Sequence, residues 1–172
     1  MAKRIIAIDP GNTETAVVEY DPDSKIPFSW GKLPNSEVVN KLHLRREGAD
    51  DTEVELVIEM VASYGMPVGR TVFDTVIWIG RFYEIWTNRG CCASPRLVVR
   101  RDVKMHLCHS VKANDANIRQ ALIDRFGGTQ ETAVGTKKKP GPLYKLCNDE
   151  RAALALAITA AETPSRYEIG EQ

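Results

Sequence analysis

The chain lacks most of the features that would place it in a specialised class. Its 172 residues carry 23 Lys and Arg against 23 Asp and Glu, so there is no net charge. Bulk attraction to a polyanion is therefore excluded, and only local basic patches can serve nucleic acid. Cysteine is sparse: Cys91, Cys92, Cys108 and Cys147 include no C-x-x-C pair. The run "MHLCH" gathers His106, Cys108 and His109. It is a weak metal motif, because structural zinc usually takes four ligands from two paired elements. No apolar run approaches the roughly 20 residues that a membrane span requires. With no recognisable signal peptide either, the expectation is a reduced, cytoplasmic chain without membrane contact. Internal repeats and domain-sized linkers are also missing. The length suits one domain over residues 1–172, with 163–172 as a loose C-terminal tail.

What is present is an ordered series of apolar segments. Arg4–Ile8, Thr15–Tyr20 and Ile26–Trp30 read as strands joined by turns at Asp9–Glu14 and "DPDS", which predicts an antiparallel meander. "SEVVNKLHLRRE" reads as a short helix. "TEVELVIEM" becomes continuously apolar, as a central strand does. A helix follows in "TVFDTVIWIGRFYEIWTNRG", with Val72, Val76, Ile79, Tyr83 and Trp86 at helical spacing. Thr71 is its expected cap and Asn88-Arg89-Gly90 its stop. "PRLVVRR" reads as another strand. "ANDANIRQALIDRFGG" reads as a helix capped by Asn114 and ended at Gly127. "NDERAALALAITAAETP" reads as a small-residue helix opened by Asn148 and closed by Pro164. The expected fold is α/β: a mixed sheet with helices on both faces.

Three acids sit where chemistry is easily placed. Asp9 ends the apolar run "IIAI", and an unpaired buried carboxylate is costly, so it is paired, protonated, metal-bound or the opening of an Asx-type turn. Glu59 ends "ELVI" in the same way, ahead of a glycine-containing loop. Ligand sites of open α/β sheets collect at strand ends. Neighbouring strands lie about 4.8 Å apart, so two such carboxylates are spaced to hold a hard cation. Asp149 and Glu150 open the last helix, where acids also complement the macrodipole. The small face behind them, Ala153, Leu154, Ala157 and Ile158, lets that helix lie close to a sheet.

In this order, "IIAIDPGNTETAVVEY", "ELVIEMVASYG", "DVKMHLC" and "NDERAALALAIT" resemble the motifs of RuvC-type Holliday junction resolvases, in particular the compact phage-type branch. The resemblance covers residues 4 to 162 and implies a ribonuclease H-like fold with a five-stranded sheet. It implies a metal-dependent, structure-selective DNA endonuclease that hydrolyses phosphodiesters with two Mg²⁺ ions, for which Mn²⁺ substitutes. Asp9 would bridge the metals, with Glu59 and Asp149 as the second and third acids. The resolvases usually carry a further acid where Ala152 stands here. Glu150 is the substitute taken from the resemblance, and Asp115 is an alternative, at a position more often basic in that family. Val103-Lys104 matches a family position near the metals. Gly11 and Asn12 would lie beside the DNA. Tyr64 would stack on exposed bases, since Ala62 occupies the usual aromatic position. Lys112, Lys137, Lys138 and Lys139 would line the approach to the site. The family acts as two-fold dimers, which points to a homodimer seam involving Phe73, Ile77 or Trp78. Branched DNA in a bacterial cytoplasm, that of a phage-infected host included, is the implied setting, with no nucleotide cofactor. Two rivals stand beside this reading. One is a branched-DNA binder without catalysis. The other is a sugar-kinase-type phosphotransferase, whose phosphate loop "DPGNT" also resembles.

Overall fold

A computed structural model describes residues 3–44, 53–62, 65, 67–88 and 93–164. Five strands, β1 (Lys3–Asp9), β2 (Glu14–Asp21), β3 (Ile26–Pro34), β4 (Glu53–Met60) and β5 (Arg96–Val99), form one sheet in the order β3-β2-β1-β4-β5. β1–β2 and β2–β3 are antiparallel, while β1–β4 and β4–β5 are parallel. The meander and the mixed sheet are as the sequence predicts.

The alternation along β1 divides the molecule. Ile5 and Ala7 join one buried cluster with Val18 of β2, Val57 of β4 and the long helix α6 (Asn148–Glu162). Ile6 and Ile8 join the other, against α1 (Asn35–Leu44) and α2 (Arg70–Thr87). Burial on both faces explains why the central strands read as continuous apolar runs. Residues 152–160 of α6 are all buried, and the alanines that alternate with Leu154, Leu156 and Ile158 let the helix pack against the sheet and its neighbouring helices. The remaining helices are α3 (Arg100–Cys108), α4 (Asp115–Arg125) and the single turn α5 (Gln130–Ala133).

Several boundaries differ from the sequence expectation. "PRLVVRR" is not a strand throughout: β5 stops at Val99 and α3 begins at Arg100. The strand signal of Leu97-Val98-Val99 hides a helix whose own signal is Val103 and Leu107, four residues apart. Thr71 does not cap α2. The helix starts one residue earlier, at Arg70, with Gly69 at the N-cap, and the Thr71 carbonyl accepts from the Thr75 hydroxyl at 2.9 Å. Within α2 the core side is Ile79, Phe82 and Trp86, while Val76 faces outward. The caps at Asn114 and at the end of α6 match expectation, the former as a reciprocal capping box with Asn117. Arg45–Glu47, Thr52, Arg89, Gly90 and residues 165–172 of the tail lie outside the described residues.

Candidate active site

Asp9 and Glu59 are brought together by sheet register. β1 and β4 run parallel, and their last registered pair is Ile8↔Ile58. The next positions on each strand are Asp9 and Glu59. Both share the parity of Ala7 and Val57, so both face α6. Two like charges thus meet in a poorly hydrated place. Loss of water, followed by the charge of Glu59, pushes Asp9 from 3.8 up to about 7; Arg100 opposes the shift, and Asp149 and Asp115 add to it. Glu59 is also raised, chiefly by burial, against the opposing charge and hydrogen bond of Arg100.

The turn after Asp9 is held by a buried amide. Asn35 accepts from the Thr15 hydroxyl at 2.7 Å and donates to the Gly11 carbonyl at 3.0 Å, while its own backbone N–H bonds the Thr13 carbonyl at 3.0 Å. A Cβ on Gly11 would lie 2.4 Å from the Glu14 carbonyl oxygen. Closure of the turn is therefore enough to require glycine. Asn12 is exposed at its tip.

Two cations stand among the acids. Arg100, the first residue of α3, places Nη1 3.2 Å from Glu59 Oε2 and Nη2 2.7 Å from Asp115 Oδ1. Lys32 of β3 places Nζ 2.8 Å from Asp149 Oδ2 and 3.7 Å from Glu14 Oε2. Asp149 stands in the first turn of α6, and its charge acts on Asp9. Its neighbour turns another way. The Glu150 side chain folds back, is 8 % exposed and accepts the Cys147 backbone N–H at 2.7 Å. One helical residue rotates a side chain by about 100°, and the regular start of α6 spends Glu150 on its own cap. Asp115 is among the charges that act on Asp9.

The expected basic residues divide into near and far. Lys104 of α3 lowers the pKa of Glu59 by its charge, so it lies near the acids. Lys112 is exposed in the turn before α4. Lys137, Lys138 and Lys139 are exposed in a turn closed by the Gly135↔Pro140 bridge. Among the described residues none of these four forms an ion pair with the acids. Tyr64 lies outside the described residues. Arg100, Lys32 and Asn35 were not singled out in the sequence. Arg100 was legible only as the end of a strand, and a lysine on an edge strand or an asparagine before a helix carries no signal of its own.

Among the described residues, no three His, Cys, Asp or Glu side chains are gathered as a ready-made metal cluster. At "MHLCH", His106 Nε2 is 2.7 Å from Glu162 Oε2, and His109 is the left-handed C-cap of α3. Around Asp9 the donor set is all carboxylate, as a hard cation prefers. Two protein cations already lie against those carboxylates. The residues fit a divalent ion provided that Arg100 and Lys32 give way. No helix among the described residues is long and apolar enough to cross a membrane.

No family model matches the sequence, and no curated protein matches it. Solved structures do match its fold. Thermus thermophilus RuvC superposes with a TM-score of 0.59 at 17 % identity, over 92 % of this chain and 93 % of that one. RuvC of T. thermophilus in complex with a Holliday junction substrate gives 0.58 at 17 % identity, over 92 % of each chain. The chain has the RuvC-like variant of the ribonuclease H-like fold.

Proposed function

We propose that the chain is a metal-dependent, structure-selective DNA endonuclease that resolves Holliday and other branched junctions by phosphodiester hydrolysis. The observation that carries this reading is the meeting of Asp9 and Glu59 at adjacent strand ends. Asp149 reaches the same place from α6, in a fold shared with a protein solved on a Holliday junction. Asp9, Glu59 and Asp149 would hold Mg²⁺ or Mn²⁺, and Asp115 replaces Glu150 as the fourth acid of the set. Bound there, the ions supply an activated water and charge stabilisation for the leaving oxygen.

The protein's own contribution is arrangement. β1 and β4 fix two carboxylates side by side, and Asn35 fixes the turn beyond Asp9. Arg100 and Lys32 neutralise the acids until cation and DNA arrive. Lys104 then offers a charge to backbone phosphate beside Glu59. A homodimer completes the reading. Phe73, Val76 and Ile77 stand exposed along one stripe of α2, at the i, i+3, i+4 spacing of a helix seam. Trp78 instead stacks on Phe82 and lies under Arg81. Two copies so joined would present two sites to the two symmetric strands of a junction.

The test is incubation with a synthetic four-way junction and Mg²⁺, beside the Asp9→Asn variant. Paired symmetric cuts by the parent protein alone are expected. Uncut junctions, or equal cutting by the variant, remove the reading. Tight junction binding without cutting in either Mg²⁺ or Mn²⁺ would identify a binder that does not cleave.

A further inference from the structure

Beside the acids, α3 and the turn after it enclose an open cleft of about 490 Å³. Among the described residues it is lined by Arg100, Arg101, Lys104 and Val111, and hydrocarbon makes most of its wall. The volume falls within the range of about 300–1,000 Å³ typical of small-molecule sites. Three features set its chemistry. Arg100 belongs to both places, since its guanidinium touches Glu59 and Asp115 while the same side chain walls the cleft. Arg101 and Lys104 form no ion pair among the described residues, although the charge of Lys104 is felt by Glu59, so both ammonium and guanidinium remain open to a ligand at the cleft. Val111 is 44 % exposed, an apolar side chain with nothing described covering it.

Unpaired cations call for phosphate, whereas a mostly hydrocarbon wall calls for a flat apolar surface. A nucleotide out of its base stack offers both, and arginine guanidinium planes cover such bases well. We infer that this cleft receives one unstacked nucleotide of the DNA strand, adjacent to the phosphate that is cut. Arg101 and Lys104 take its backbone phosphate, and the base lies between Val111 and the Arg100 side chain. Arg100 thereby links substrate to site: drawn towards the base, it leaves Glu59 and clears the place where a cation must enter. Because only a base that leaves its stack can occupy the cleft, junction centres and other distorted DNA are favoured over plain duplex. The inference rests on the DNA-cutting reading above.

The experiment measures binding of fluorescein-labelled four-way junctions by anisotropy, with Ca²⁺ in place of Mg²⁺. A single abasic site is moved through the positions flanking the mapped cut. One position should weaken binding by roughly fivefold or more, the order expected for loss of one stacked base. Val111→Trp, at an exposed position that tolerates bulk, fills the cleft. It should weaken binding of the intact junction by a similar factor and abolish the abasic penalty. Arg101→Ala should weaken binding at every position and flatten its salt dependence. If no abasic position costs affinity, or if the penalty persists in Val111→Trp, the cleft holds no base and the inference falls. If the parent protein binds no junction at all, the DNA reading itself fails.

Discussion

At its C-terminal end, α6 is tied down by polar groups that find partners of opposite kind. Arg96 of β5 donates from Nη1 to the Ala160 and Thr163 carbonyls, and from Nη2 to the Thr163 hydroxyl and the Pro164 carbonyl, each at 2.8 Å. Glu162 accepts from His106 of α3 and Arg125 of α4, and the hydrogen bond from Arg125, despite partial burial, heads the influences that hold its carboxyl below the usual range. At its N-terminal end the same helix carries Asp149 towards Asp9 and Glu59, whose carboxyls are both pushed up. One end is polar chemistry that satisfies itself. The other keeps like charges together, partly buried, with two cations as incomplete compensation. A fold retains such a cluster where a ligand finishes it, and groups with strongly shifted ionisation gather at functional sites.

The largest effect that would break this contrast is on activity. Asp9→Asn should lower junction cutting by about a thousandfold or more, the scale of losing a principal electrostatic contributor. In the metal-free protein the same change should not destabilise, because it removes one of two neighbouring carboxylates. If Asp9→Asn unfolds the protein in EDTA, Asp9 is a structural group and the contrast collapses.

The satisfied end should respond in the opposite way. Arg96→Ala leaves three carbonyls and a hydroxyl without their charged donor, and should cost about 3 kcal/mol in urea unfolding. For a chain of this size that corresponds to a fall of roughly 2–4 °C in Tm per kcal/mol. The folded fraction, assayed well below the new Tm, should still cut junctions at near the parental rate. A loss of cutting as deep as that of Asp9→Asn would mean that both ends of α6 serve the site.

The two ends should also respond oppositely to pH. Asp9 has a folded pKa of about 7 against an ordinary 3.8, so folding favours its protonated form. Its contribution is fully present below the ordinary value and is lost as pH rises through about 7. Glu162 has a folded pKa below its ordinary value, so its contribution is present above 4.5 and is lost as pH falls through the folded value. Metal-free stability should therefore decline from about pH 5 to pH 7 in the parent and level off above it. Asp9→Asn should level that decline, and Glu162→Gln should leave it in place. A slope unchanged in Asp9→Asn would refute the frustrated pair.

The pattern of what the sequence revealed follows the same division. Asp9, Glu59 and Asp149 were legible because each breaks a local rule: an acid closing an apolar strand, or one at the head of an apolar helix. The sheet and its meander were legible from alternation and turns. Arg100 was not, because its role arises from where α3 begins, and the Leu97–Val99 run masks that boundary. Lys32 was not, because its pairing with Asp149 joins an edge strand to a helix more than a hundred positions away. The cap taken by Glu150 was not legible, because a first-turn acid has two outlets, the site or its own helix cap, and backbone geometry decides between them.

The smallest effect concerns Lys32. Its pair with Asp149 is about half exposed on both sides, at 42 % and 49 %, so solvent screens it. Lys32→Ala should leave unfolding stability essentially unchanged. Its effect on cation binding is the sharper measurement. A lysine 2.8 Å from an acid competes with any divalent ion for that acid. Removing it should tighten Mn²⁺ binding in calorimetry by roughly two- to fivefold, the scale of one screened charge pair. Weaker Mn²⁺ binding in Lys32→Ala would show that the lysine orders Asp149 for the metal instead of contesting it. The N-terminal end of α6 would then be pre-arranged, not merely frustrated.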